Sequence, residues 1–171
     1  LRTGLLITAI APVLCIAQNS ASSENSETRS FTVSQTTVKI NVDGELDETI
    51  WSEAPTIGNL VQQQPNPGTA PTERTEVTLL YDSNNLYIGV KAYDSEPDKV
   101  IGTQMERDAS LSSDDHLEIV LDTFRDQRNA FYFATTPSGA FVDGLAFGNE
   151  ELNTDWNAIW DVRTKRTDFG W

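Results

Sequence analysis

The sequence predicts an all-β domain, an antiparallel, jelly-roll-like β-sandwich of about 9–11 strands with one short helix. Three observations carry this. Apolar residues from residue 31 onward recur with period two in short runs. Turn-forming clusters separate the runs, and no long helical pattern alternates with them, so there is no βαβ rhythm.

The elements follow in order. Val38 and Ile40 alternate with Lys39 and Asn41. Asp47 is placed to cap a short helix over Glu48–Ala54, with Ile50, Trp51 and Ala54 on one face and Pro55 as its stop. Trp51 is thereby assigned to the core. Residues 62–71 hold three prolines and a glycine and read as a long surface connection. Val77, Leu79 and Tyr81 form the next run. Leu86, Ile88, Val90 and Ala92 form another, with Tyr87, Gly89, Lys91 and Tyr93 on its opposite face. Asp82-Ser83-Asn84-Asn85 joins these two as a hairpin. Leu117, Ile119 and Leu121 alternate with Glu118, Val120 and Asp122. Phe131, Phe133 and Thr135 alternate with Tyr132 and Ala134, and Pro137-Ser138-Gly139 makes the following turn. A half-buried antiparallel strand has this alternation.

The 171 residues suit one domain. Before it, Arg2 precedes an apolar run from Leu5 to Ala17 of about 13 residues, short of the roughly 20 that a membrane span needs. Residues 1–17 read as a signal peptide cut after Ala17, which implies export to the periplasm, the outer membrane or the exterior. Cys15 opens a second reading, a lipidated cysteine, although Leu14 stands where that signal has a small residue. Residues 18–30 are mostly polar and read as a disordered linker, and the sandwich occupies 31–171. The run Phe169-Gly170-Trp171 looks like a strand beginning, and a longer parent chain is expected on both that ground and the absence of an initial Met. With a single cysteine there is no disulfide framework. The net charge of −14 argues against nucleic acid and anionic lipid as partners.

Several pieces, in order, carry a resemblance: Val42-Asp43-Gly44-Glu45-Leu46-Asp47-Glu48 followed by Trp51; Leu80-Tyr81-Asp82 through Leu86-Tyr87-Ile88-Gly89-Val90; Asp114-Asp115 with Glu118-Ile119 and Leu121-Asp122; and Pro137 with Gly139. From about Thr37 to Trp171 the chain resembles the family 9 carbohydrate-binding modules. It is most similar to those at the N-terminus of large exported bacterial proteins whose C-terminal part looks like an outer-membrane barrel. The resemblance implies a β-sandwich, sugar binding, bound calcium in some members, and a link to polysaccharide breakdown. It also implies further strands that close the module after the last residue of this sequence.

A sugar is recognised by aromatic rings against its C–H face and by amides, carboxylates or Arg at its hydroxyls. Trp156, Asn157, Trp160 and Arg163 are the candidate contacts, and the two Trp residues share a face if the segment is extended. The alternative keeps Trp160 in the core and Trp156 on a loop. Tyr87 and Tyr93, flanking Lys91, form a second candidate platform that a covering element would close. Burying about 100–150 Å² of apolar surface gives about 2.5–4 kcal/mol, and association costs leave binding in the millimolar to micromolar range. Asp108, Asp114, Asp115 and Glu118, with Asp122, are the densest carboxylates and the candidate calcium ligands. No pair of carboxylates is set to flank a long cleft and the chain has one His, so catalysis is not expected. That residue, His116, and Met105 leave a haem-binding relative as a minor alternative. A third reading is a structural domain that docks on the remainder of its own longer polypeptide. The expected function is non-catalytic binding of a glycan or oligosaccharide.

Overall fold

The computed structural model describes residues 30–148 and 151–171. The signal peptide and all but the last residue of the linker lie outside the described residues. The described residues from 31 onward hold eight strands in two sheets, one α-helix and one 3-10 turn. The chain is an all-β sandwich, with eight strands among the described residues where 9–11 are expected from the sequence.

The first sheet is built around one hairpin. Strands β3 (Thr75–Tyr81) and β4 (Leu86–Ala92) pair antiparallel along their whole length, from Thr75 opposite Ala92 to Tyr81 opposite Leu86. Asp82 closes the turn, its Oδ1 accepting the Asn84 and Asn85 N–H groups at 2.7 and 2.8 Å. The other edge of β3 is shared by two short strands. β2 (Thr56–Ile57) pairs antiparallel with Val77 and Thr78. β1 (Ser34–Gln35) pairs parallel with Leu80 and Tyr81, a departure from the expected all-antiparallel pattern. The predicted strand over Val38–Ile40 is not one. The Val38 N–H turns back to Thr36 Oγ1 at 3.0 Å, and Ile40 enters the core from a loop.

Helix α1 (Thr49–Glu53) is shorter than predicted, and Asp47 does not cap it. Glu48 stands at its N-cap and turns its carboxylate elsewhere, to the Asn41 N–H at 2.8 Å and the Trp51 indole N–H at 2.9 Å. These bonds, the Asn41 one foremost, hold the Glu48 carboxyl below its usual range. Trp51 is 7% exposed and packs with Ile40, Ala54 and Leu80. Gly89 lets it in, for a Cβ there would stand 2.8 Å from Trp51 Cζ3. The Tyr87-Gly89 face of β4 is therefore the one covered by the helix, and Leu86 on the other face is 49% exposed. This reverses the faces expected for β4.

The second sheet is an antiparallel meander of β5 (Leu117–Leu121), β6 (Asn129–Thr135), β7 (Phe141–Phe147) and β8 (Glu151–Asn153). Pro137-Ser138-Gly139 makes the β6–β7 turn as predicted, with Gly139 at φ 82°. One face carries a small core of Leu111, Ala134, Ala140 and Val142, with Tyr132 against it. The other face carries Ile119, Phe131, Phe133 and Phe141, by the register that sets Ile119 opposite Phe133 and Phe133 opposite Asp143. Between β4 and this phenylalanine face lies a cleft of about 670 Å³, open to solvent. At one end the chain returns to β4, where the Trp171 N–H and C=O exchange hydrogen bonds with Ala92. Gly170 permits that approach, since a Cβ there would lie 2.1 Å from the Ala92 oxygen.

Candidate functional site

Residues 156–165 lie extended, with burial alternating residue by residue. Trp156, Ala158, Trp160 and Val162 point to one side, and Asn157, Ile159, Asp161 and Arg163 to the other. The segment forms no backbone ladder. It is pinned by side chains onto the phenylalanine face of the second sheet. The Trp156 ring lies 5.3 Å from that of Phe131, and Trp160 meets Phe133 and Phe141 edge-on at 5.0 and 5.4 Å. Tilted and edge-on contacts are the favoured geometries for aromatic pairs.

Asp143 supplies the polar half of this attachment. It is fully buried on β7 and accepts the Ala158 N–H through Oδ2 and the Arg107 Nη2 through Oδ1, the latter at 2.9 Å. The same Nη2 donates to Asn157 Oδ1, and Arg107 Nε lies 3.2 Å from Asp108. The guanidinium also sits over the Phe141 ring at 5.2 Å. A buried carboxylate is tolerated because a cation and a backbone donor satisfy it. Arg107 thus draws Asn157 to the second sheet, and its Nε and Nη2 are taken while its side chain remains 43% exposed.

The structure divides the four predicted sugar contacts. Trp156 and Asn157 stand together at the Arg107 end. Trp160 and Arg163 line the inter-sheet cleft instead. Trp160 is wedged between two phenylalanines, and its indole N–H is buried without a partner among the described residues. Arg163 turns back to its neighbours, Nη1 donating to the Val162 carbonyl at 2.7 Å. The cleft is lined by Leu117, Ile119, Leu121 and Phe133 together with polar groups that include Asn84, Asn85 and Asp161.

One contributor escapes the sequence pattern. Phe124 stands on the β5–β6 turn, 70% exposed, with its ring 6.5 Å from Phe131. Phe124, Phe131 and Trp156 thereby form a continuous run of rings. The turn is held by two carboxylates. Asp122 accepts the Asp126 and Gln127 N–H groups at 3.3 and 2.9 Å, and Asp126 accepts those of Arg128 and Asn129 at 2.9 and 2.8 Å. The Asp126 carboxyl lies below its usual range through the Asn129 bonds first. Arg125 and Gln127 adopt φ of 57° and 56°, a left-handed conformation that costs non-glycine residues. A lone Phe in the polar stretch 122–129 is the signal that marks it.

The candidate calcium ligands do not converge, and among the described residues no group of three or more His, Cys, Asp or Glu is placed to hold a metal. Each is engaged elsewhere. Asp114 accepts the Thr103 and Gln104 N–H groups and the Thr103 hydroxyl, all at 2.7 Å, and these bonds, the Gln104 one foremost, hold its carboxyl low. Asp115 accepts the Ile101 N–H at 2.7 Å, Asp108 pairs with Arg107, and Glu118 accepts the Tyr132 hydroxyl at 2.6 Å. Burial first, and that bond second, raise the Tyr132 phenol. Met105 and His116 form no pocket either, since Met105 is 78% exposed and His116 Nδ1 meets the Asp114 carbonyl at 2.8 Å. The Tyr87–Tyr93 platform is closed. Tyr87 packs on the Trp51 core, and Tyr93 lies between Arg74, 4.1 Å over its ring, and Phe169 at 5.1 Å.

Compared with known families, residues 42–142 match the model described as carbohydrate family 9 binding domain-like. No curated protein and no solved structure matches the chain. The matched stretch includes Arg107, Phe124 and Phe131 and ends just before Asp143 and well before Trp156.

Proposed function

We infer the function from one premise: the chain belongs to the carbohydrate family 9 binding domain-like family. As such it is a binding module. The site proposed for the glycan is the Trp156 end of the second sheet. The observation that carries this is the placing of an indole beside polar groups that a buried carboxylate fixes. Trp156 rests on Phe131, Asn157 is bonded to Arg107, and Asp143 anchors both Arg107 and Ala158. Rings and preset donors together suit a pyranose, whose C–H face stacks while its hydroxyls pair. The reading extends to the parent protein, proposed to be exported and to hold a glycan at the periplasmic or outer face of the cell in polysaccharide breakdown.

A panel of insoluble and soluble polysaccharides tests this by retention in affinity gels. The full-length protein is expected to be retarded by at least one glycan, and Trp156→Ala is expected to run freely. Equal retardation of both would remove the site from Trp156. The open cleft between the sheets favours a second reading, a structural domain covered by another part of a longer polypeptide. Under that reading no glycan retards the protein.

A further inference from the structure

We infer that the outer edge of β4 is the seat of a further β-strand, supplied by the same polypeptide as it runs on from Trp171, antiparallel to β4 and within the cleft between the sheets. The inference concerns β4 and stands apart from the glycan reading of the Trp156 end.

The backbone carries it. Among the described residues β4 has one partner strand, β3. In an antiparallel ladder successive residues direct their backbone groups to opposite sides. Tyr93 gives its N–H to the Arg74 carbonyl beside β3, and Ala92 turns the other way, exchanging both its hydrogen bonds with Trp171 at 2.8 and 2.9 Å. Leu86, Ile88 and Val90 share the parity of Ala92. Their N–H and C=O groups therefore face the same outer side, and among the described residues no backbone group meets them there. The chain already enters this edge in the right direction. The Asp94 N–H bonds to the Phe169 carbonyl at 2.8 Å, Gly170 lies opposite Tyr93, and Trp171 opposite Ala92. In that register the second, fourth and sixth residues beyond Trp171 fall opposite Val90, Ile88 and Leu86.

The side chains agree. An edge that stays open is blunted by Pro, a bulge or charges. β4 reads Leu-Tyr-Ile-Gly-Val-Lys-Ala, and its one charge, Lys91, lies on the face that Trp51 and Thr78 share. Val42, Leu86 and Ile159 line the cleft and are exposed. Trp160 lines it too, and its indole N–H is buried without a partner among the described residues. A strand on β4 covers the three aliphatic groups and brings carbonyl oxygens to the cleft that holds the indole. A row of backbone donors and acceptors at every second residue fits a strand and not a small ligand.

The test is NMR of the full-length protein, by amide exchange and cross-strand proton contacts. The amides of Gly89 and Lys91, bonded to β3, serve as internal standards. Ile88 and Val90 are expected to exchange at least about a hundredfold more slowly than loop amides. The Val90 amide is expected to lie against the second residue beyond Trp171, and the Ile88 amide against the fourth. Exchange of Ile88 and Val90 at loop rates would overturn the inference, as would contacts to any other segment. Contacts that cross between labelled and unlabelled copies in a mixed sample would also overturn it, and would assign the edge to a second copy. None of these outcomes touches the glycan reading, because no sugar is present.

Discussion

The two tryptophans of the 156–160 segment share a side and differ in duty. Trp160 is held edge-on by Phe133 and Phe141, so Trp160→Ala is expected to destabilise the fold by about 2–3 kcal/mol, read by denaturant unfolding. A fall below 1 kcal/mol would show that the ring is not part of the core. Asp143 presents the opposite case, a buried charge with a cation and an amide on its two oxygens. Arg107→Ala strands that charge and is expected to cost about 3 kcal/mol, more than the double variant Arg107→Ala with Asp143→Asn. Additive costs would deny the coupling. Of these residues the sequence marks the tryptophans, by their place among Asp155, Asn157 and Arg163. It does not mark Asp143 or Arg107, because partners 36 residues apart in the chain leave no local pattern. Arg163 was readable as a neighbour of Trp160 only. Successive side chains of an extended segment point apart, and a spacing of three puts the two on opposite sides.

At the scale of elements, long strands are legible and short ones are not. β3 to β6 announce themselves by alternation, whereas the two-residue strands β1 and β2 have no period to detect and β7 is marked only by the turn before it. The faces of β4 were ambiguous because both are rich in apolar or aromatic groups. The deciding residue was Gly89, whose missing Cβ admits Trp51 of helix α1. Gly89→Ala is accordingly expected to lower stability by about 1–3 kcal/mol, since the added methyl meets the Trp51 ring and the Leu46 side chain together. A neutral result in thermal unfolding would place Trp51 away from β4. The helix start was misread for a related reason. Glu48 finds an N–H on Asn41 and an indole N–H on Trp51, and so ties a loop to the helix where an Asp47 cap was expected.

The whole molecule combines a net charge of −14 with carboxylates that accept backbone N–H groups. Glu48, Asp82, Asp114 and Asp126 all titrate below their usual range, chiefly through such bonds. Each therefore stabilises the fold above its unfolded pKa of about 4, and that contribution is lost as pH falls through the lowered folded value. The melting temperature is expected to drop steeply below about pH 4. Asp114→Asn is expected to melt lower at pH 7 and to show a shallower acid drop. A variant with the wild-type acid profile would contradict the assignment of Asp114. The sandwich class follows from sequence periodicity, but the open cleft does not, because inward strand faces look alike whether or not another layer covers them.

The most direct test of carbohydrate binding at the Trp156 end is calorimetric titration of the full-length protein and its Trp156→Ala variant with the glycan that retains it best. The account predicts saturable heat for the wild type, with a dissociation constant between millimolar and micromolar. It predicts at least a tenfold loss in the variant, about 1.4 kcal/mol, in a protein that still unfolds cooperatively. Saturable binding of equal strength in both proteins would contradict the site, and no heat from a folded wild type with any glycan would contradict the function.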